Sequence, residues 1–235
     1  MSIADIRGLR RNTPIKSPES MLDTVRALGI VPFFVNSIPG YSVEELTEGG
    51  LWFDDITLGP WDWKIHLVQS GEIAYGKFLL GGKSAFATIP WYMELVNYRR
   101  SLPKYAPEGI QKEVLDYISS HGSATVRELR REFGLKKNQV DTILTKLENQ
   151  TRVVIGDIIR VYRGEDLHYN GWQTASFCTP DDLFAQDTPS FGPLKAGPAF
   201  TTPRHSPAES YGLLRRHILS LAPEATDKQI QTLLG

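Results

Sequence analysis

Residues 125–150 read TVRELRREFGLKKNQVDTILTKLENQ, and this stretch decides the fold. Thr125 suits a helix N-cap, and Glu128 three residues later completes a capping box. Val126, Leu129 and Phe133 recur at helical spacing, and Gly134 can close the helix in a left-handed conformation. A short turn, Leu135-Lys136-Lys137, leads to a second periodic run, Val140, Ile143, Leu144 and Leu147. Upstream, Ile110, Val114, Leu115, Tyr117 and Ile118 define another helix that ends near His121-Gly122. Downstream, two β-rich runs (153–163 and 172–178) flank a polar stretch at 164–171. Helix, helix, short turn, helix and β-hairpin in that order predict a winged helix-turn-helix, with the helix after Gly134 in the recognition position.

Working outward gives an α+β protein in five parts. Residues 1–16 carry Arg7, Arg10, Arg11 and Lys16 against Asp5 and read as a loose basic arm. Residues 17–105 form an aromatic, β-rich region with flanking helices. Ser17-Pro18-Glu19 starts its first helix, and Gly29 closes it. Residues 31–35 read as strand or core loop, and Ser42 caps a short helix. Residues 63–68, 73–80 and 83–89 read as three strands, with Gly81-Gly82 as a two-residue hairpin turn. Pro90 opens a helix that Ser101-Leu102-Pro103 ends. Residues 106–185 are the winged-helix domain, entered through a linker at 103–109. Residues 186–207 hold five prolines and two glycines and read as an extended linker. Residues 208–235 read as a helical hairpin, capped at Ser206 and Thr226, available to the body, to a partner or to a second copy.

Composition sets the outer bounds. The 235 residues hold 26 Lys plus Arg against 27 Asp plus Glu, a net charge of −1, so a nucleic-acid partner requires local concentration of positive charge. No apolar stretch approaches the roughly 20 residues of a membrane span, and no secretory signal is visible. A single cysteine, Cys178, excludes an internal disulfide framework and fits the cytoplasm.

The charge is indeed local. Between residues 125 and 152 stand seven cations (Arg127, Arg130, Arg131, Lys136, Lys137, Lys146 and Arg152) against four acids. Lys136, Lys137, Asn138 and Gln139 open the recognition helix, where cations neutralise phosphates and amides can pair with adenine edges. The same pattern also fits a solvated helix face or a protein-interaction module. A second cluster is aromatic: Trp52, Phe53, Trp61, Trp63, Tyr75 and Trp91. With Trp61 and Trp63 at strand spacing, and Lys64 and Lys77 on neighbouring strands, it reads as a base-stacking platform or as a Trp-built core. In the third feature, Glu148-Asn149-Gln150, a carboxylate and an amide two residues apart can share one site and position a water. The five histidines lack metal-ligand spacing, Cys178 reads as a small buried hydrophobe, and Gly81-Gly82-Lys83-Ser84 lacks the rest of a phosphate loop. No metal or cofactor is implied.

Several runs together resemble the AlkZ-related proteins of bacteria. They are Leu51-Trp52-Phe53-Asp54-Asp55, Gly59-Pro60-Trp61-Asp62-Trp63-Lys64, Tyr75-Gly76-Lys77-Phe78 and Val96-Asn97-Tyr98-Arg99-Arg100, with Gly171-Trp172 and the ending Thr179-Pro180-Asp181-Asp182-Leu183-Phe184. The resemblance spans roughly residues 17–184. It implies kinship with the AlkZ-type winged-helix DNA glycosylases, which remove alkylated or cross-linked bases, and hence duplex DNA as partner. Their Gln-x-Gln motif after the recognition helix corresponds to Glu148-Asn149-Gln150, where only Gln150 matches. The resemblance thus makes Glu148 and Gln150 the catalytic candidates. Arg127, Arg130, Arg131, Lys136, Lys137, Asn138, Gln139, Lys146 and Arg152 are the candidate DNA contacts, with Trp61, Trp63, Lys64, Lys77, Arg99 and Arg100. A regulator or interaction module without chemistry is the alternative.

Overall fold

A computed structural model describes residues 14–52, 58–184 and 204–235. The chain forms an α+β structure with two three-stranded antiparallel sheets among the described residues. The first sheet, in the order β1-β3-β2, joins β1 (Ile30–Pro32), β2 (Ile73–Gly76) and β3 (Ala85–Thr88). Around it lie α1 (Pro18–Leu28), α2 (Val43–Leu46), α3 (Pro60–Gln69) and α4 (Ile89–Arg100). After a 3-10 turn at Pro103–Tyr105 come α5 (Ile110–His121), β4 (Ala124–Thr125), α6 (Val126–Phe133) and α7 (Lys137–Asn149). The hairpin β5 (Val154–Arg163) and β6 (His168–Cys178) completes the second sheet, in the order β4-β6-β5. Then follow α8 (Pro180–Leu183), α9 (Pro207–Leu221) and α10 (Asp227–Leu234).

Local chemistry explains most boundaries. Ser17, Ser42, Thr125, Thr179, Ser206 and Thr226 each accept a backbone N–H as N-caps. Thr125 and Glu128 form the expected capping box, and Gly134 closes α6 at φ 63°.

Several expectations need correction. Residues 63–68 are not a strand but part of helix α3. Gly59 occupies its N-cap, Pro60 its first turn, and Asp62 complements its dipole. The helical period was hidden because Asp62 and Lys64, which a pattern assigns to solvent, are buried with Trp63, Ile65, Leu67 and Val68. On a helix, two residues apart means about 200° of rotation. Trp61 is accordingly 42% exposed and Trp63 only 7%, so the two do not share a face. Lys64 and Lys77 consequently do not sit on neighbouring strands. β2 and β3 do pair, but through the longer connection 77–84 and not a two-residue turn at Gly81-Gly82. β6 begins at His168, so the second half of the polar stretch 164–171 is strand, and the turn lies at 164–167. A solvent-facing hairpin end lacks the apolar residues by which strands are recognised.

Two apolar clusters make up the interior. The smaller gathers Val114, Ile118, Leu129, Val140, Leu144 and Leu147 with Phe177 from the base of the hairpin. The larger combines the first sheet and its helices with Leu214, Ile218, Leu221, Ile230 and Leu233 of α9 and α10. Ile155 and Ala175 on the hairpin pack against both. The C-terminal helices thus dock their apolar residues on the body. Ile15, in the expected arm, is fully buried and bridges to Thr47; the rest of that arm to residue 13, Phe53 of the aromatic cluster, and most of the Pro/Gly segment (185–203) lie outside the described residues.

Candidate functional site

Helix α7 presents two chemically different ends. At its start Lys136, Lys137, Asn138 and Gln139 are all exposed, as are Arg127, Arg130 and Arg131 on α6 and Lys146 one face along. Lys137 Nζ pairs with Asp141 at 2.7 Å, and Gln139 Oε1 accepts the Lys136 N–H at 2.9 Å. Among the described residues the remaining cations of this face form no ion pair.

The other end runs into the body. Glu148 is 2% exposed, and its Oε1 accepts the Lys77 N–H at 3.1 Å. The niche depends on Gly76, because a Cβ there would lie 2.7 Å from Oε1. Burial raises the Glu148 carboxyl to about 7, against the opposing pull of the Lys77 N–H and ammonium. Lys77 Nζ itself turns to Thr145 Oγ1 at 3.2 Å. Gln150 is buried too, but its Nε2 donates to Gln111 Oε1 at 2.7 Å and to the Ala106 carbonyl at 3.4 Å. Glu148 and Gln150 therefore engage different elements, with no hydrogen-bond partner in common.

The helix ends in a Schellman motif: the Thr151 N–H donates to Glu148 O, and the Arg152 N–H to Leu147 O, both at 2.9 Å. Glycine normally fills the left-handed position of that motif. Here Thr151, β-branched and wholly buried, occupies it at φ 56°. Four buried polar atoms without a hydrogen-bond partner lie nearby in the chain or on its clamp: Arg99 Nε, Asn149 Oδ1, Gln150 Oε1 and Arg152 Nε. Strain and unpaired polar groups each cost about 1–3 kcal/mol, so stability alone does not favour this arrangement.

Arg99 and Arg100, expected to contact nucleic acid, hold this helix end instead. Arg99 is 0% exposed. It donates to the carbonyls of Phe78, Asn149 and Leu234, tying three chain segments together. Arg100 grips the Thr151 carbonyl through Nε and Nη2, and pairs with both Asp181 oxygens at 3.0 and 2.7 Å. Arg152, half-buried beside them, is not on the open face either. Asn97 and Tyr98 complete the same run by binding the tail, Asn97 to Ser210 Oγ and Tyr98 to the Gly235 carbonyl.

A polar centre that the sequence did not reveal lies where α3 meets the hairpin. Asp62 Oδ1 accepts from Arg160 Nε at 3.1 Å, Tyr169 OH at 2.5 Å and Gln173 Nε2 at 3.3 Å. Lys64, buried at 3% exposure, donates to Gln173 Oε1 and to the Trp61 carbonyl. Its ammonium lies 3.3 Å from the Trp61 ring centroid. Arg160, Tyr169 and Gln173 all lie on the β5–β6 hairpin and meet Asp62 only through the fold. Trp172 stays exposed on the hairpin with Arg163 over its ring, and Trp63 belongs to the core. Among the described residues no three His, Cys, Asp or Glu are placed to hold a metal ion, and no helix is long and apolar enough to cross a membrane.

These features define an α+β protein whose central helix joins an exposed cationic end to a buried, strained carboxylate end. The chain belongs to the AlkZ-related family, whose model matches residues 15–235. The match runs through the C-terminal helices, beyond the limit of residue 184 that the motifs had suggested. No curated protein and no solved structure matches the chain.

Proposed function

We propose that this is a DNA-repair protein of glycosylase type, in which α5–α7 and the β5–β6 hairpin act as a winged helix on duplex DNA. The observation that carries the reading is the concentration of strain and unpaired polar groups at Glu148–Arg152, at the position where the family resemblance puts the chemistry. Arg127, Arg130, Arg131, Lys136, Lys137 and Lys146 neutralise phosphate, and Asn138 and Gln139 reach base edges. An alkylated base leaves readily because it is already cationic. Glu148, once ionised, orients water toward the sugar carbon and stabilises positive charge developing there. Gln150, held by Gln111, is a positioning residue for that helix end.

The test is incubation with alkylated duplex DNA, comparing wild type with Glu148→Gln and Gln150→Ala. Base release that falls at least about a hundredfold in Glu148→Gln supports the reading, in line with the usual contribution of a general base. Wild-type release should rise with pH through about 7, because only the ionised carboxylate acts. The DNA-binding regulator without chemistry is favoured if salt-sensitive binding occurs without release. Absence of both overturns the proposal.

A further inference from the structure

We propose that Lys64 is an amine nucleophile for an aldehydic deoxyribose in DNA, roofed by Trp61 and served by Asp62. The inference rests on the DNA-repair reading, since base loss leaves such a sugar, but it concerns a centre separate from Glu148. Three observations carry it. The Lys64 amine is buried yet meets no carboxylate directly; it donates to the Gln173 amide oxygen at 2.5 Å and to the Trp61 carbonyl. The groups facing it are Asp62 on its own helix and Arg160, Tyr169 and Gln173 on the hairpin, and Asp62 is already shared among all three of these. Among the described residues no hydrogen bond reaches Asp62 Oδ2.

The Trp61 ring lies directly over the amine and is itself exposed, fixed through its indole N–H by one bond to the Gly171 carbonyl at 3.2 Å. Movement of that ring opens the amine to the α3–hairpin surface without disturbing the core. Burial lowers the Lys64 ammonium to about 7, with Asp62 opposing and Arg160 adding to the effect, so a large share is neutral and nucleophilic near pH 7.

The chemistry balances without any added oxidant or reductant. The neutral amine attacks C1′ of the open-chain sugar, forming a C–N bond; one amine proton and one proton from solvent convert the carbonyl oxygen to water, which leaves to give an iminium. Asp62 then takes a C2′ proton. The released electron pair forms a C2′–C3′ double bond, and the 3′ phosphate departs with the electrons of the C3′–O bond. Water hydrolyses the iminium and returns the amine.

The experiment is borohydride trapping of the full chain on a duplex with one abasic site, with binding read in parallel by salt-dependent gel shift. A trapped complex that maps by mass spectrometry to Lys64 is expected. Lys64→Arg should lose it at least a hundredfold, whereas Lys83→Arg, in the 77–84 connection and bonded to the Val35 carbonyl, should retain it. Trp61→Ala should move the pH midpoint of trapping upward by a unit or more, because the uncovered ammonium regains water; a merely structural lysine gives no such shift. A second probe, 2-deoxyribose 5-phosphate with cyanoborohydride, reads the amine without DNA. Bound abasic DNA without a trap overturns the proposal and leaves the DNA reading intact, and so does a trap that persists in Lys64→Arg. Labelling of Lys64 by the sugar without DNA binding upholds the amine and overturns its DNA substrate. Neither signal overturns both.

Discussion

The two ends of helix α7 face opposite demands. The N-terminal end keeps four polar residues in water, with local ties that include an i,i+4 ion pair, a capping amide and the Thr142 hydroxyl on the Asn138 carbonyl. The C-terminal end buries a carboxyl, an amide and a β-branched residue at positive φ, held by two arginines from α4. An exposed end can be altered at little cost to the fold, because surface substitutions away from special features usually stay within about ±0.5 kcal/mol. The buried end is coupled to everything that holds it. The contrast separates an open cationic surface from an interior held in one arrangement.

The hardest blow to the buried end is removal of its clamp. Arg99→Met strands three carbonyls on three different segments, those of Phe78, Asn149 and Leu234, two of them fully buried. Unmade buried hydrogen bonds cost about 1–3 kcal/mol each and are not additive, so a loss of roughly 3–5 kcal/mol is expected. Urea unfolding measures it. A loss below about 1 kcal/mol would mean that the C-terminal helices and α7 do not depend on this guanidinium.

The next effect carries a sign that separates the two ends. The Glu148 carboxyl titrates near 7 in the folded chain and near 4.5 when unfolded. A raised folded value means that stability is fully present below pH 4.5 and is lost as pH rises through 7. The gap between the two values corresponds to about 3 kcal/mol. Glu148→Gln should therefore match the wild-type pH dependence less this contribution, gaining up to about 3 kcal/mol relative to wild type at pH 8 and nothing at pH 4.5. Thermal melts at both pH values read the difference, and a constant offset between the two chains would refute the buried, proton-holding carboxyl. Gly76→Ala sharpens the same point with a smaller expected effect. Its new Cβ would crowd Oε1, for about 1–3 kcal/mol of overpacking.

How legible each end was follows from the same physics. The helices around α7 could be read because their caps and apolar period are local: Thr125 with Glu128, Val126 with Leu129, Val140 with Leu144. The exposed Lys136–Gln139 face was readable for the same reason. The role of Arg99 and Arg100 was not, since their partners lie 50 or more residues away for α7 and 135 for the tail. Basic residues next to aromatic ones look alike in sequence whether they meet phosphate or cap a helix. Helix α3 was misread because its buried Asp62 and Lys64 serve a network with Arg160, Tyr169 and Gln173, which only the folded chain assembles. Glu148 and Gln150 were found as a pair by spacing, yet the turn at Thr151 and separate partners send them to different neighbours.

The smallest expected change in stability falls at the exposed end, where the expected change in binding is nevertheless specific. Lys136→Ala with Lys137→Ala removes one free cation and one half of a surface ion pair. That pair is worth about 0.3–0.5 kcal/mol at most, so the melting temperature should scarcely move. If both ammonium groups neutralise phosphate, each releases about one counterion on binding, and the slope of log affinity against log salt should become shallower by about two. The loss should be uniform across duplex sequences, because a phosphate contact carries no base information. Asn138→Ala, by contrast, should leave the salt slope alone and relax a preference at one base pair. An unchanged slope in the double variant would place the DNA on another face, and would leave α7 with one functional end instead of two.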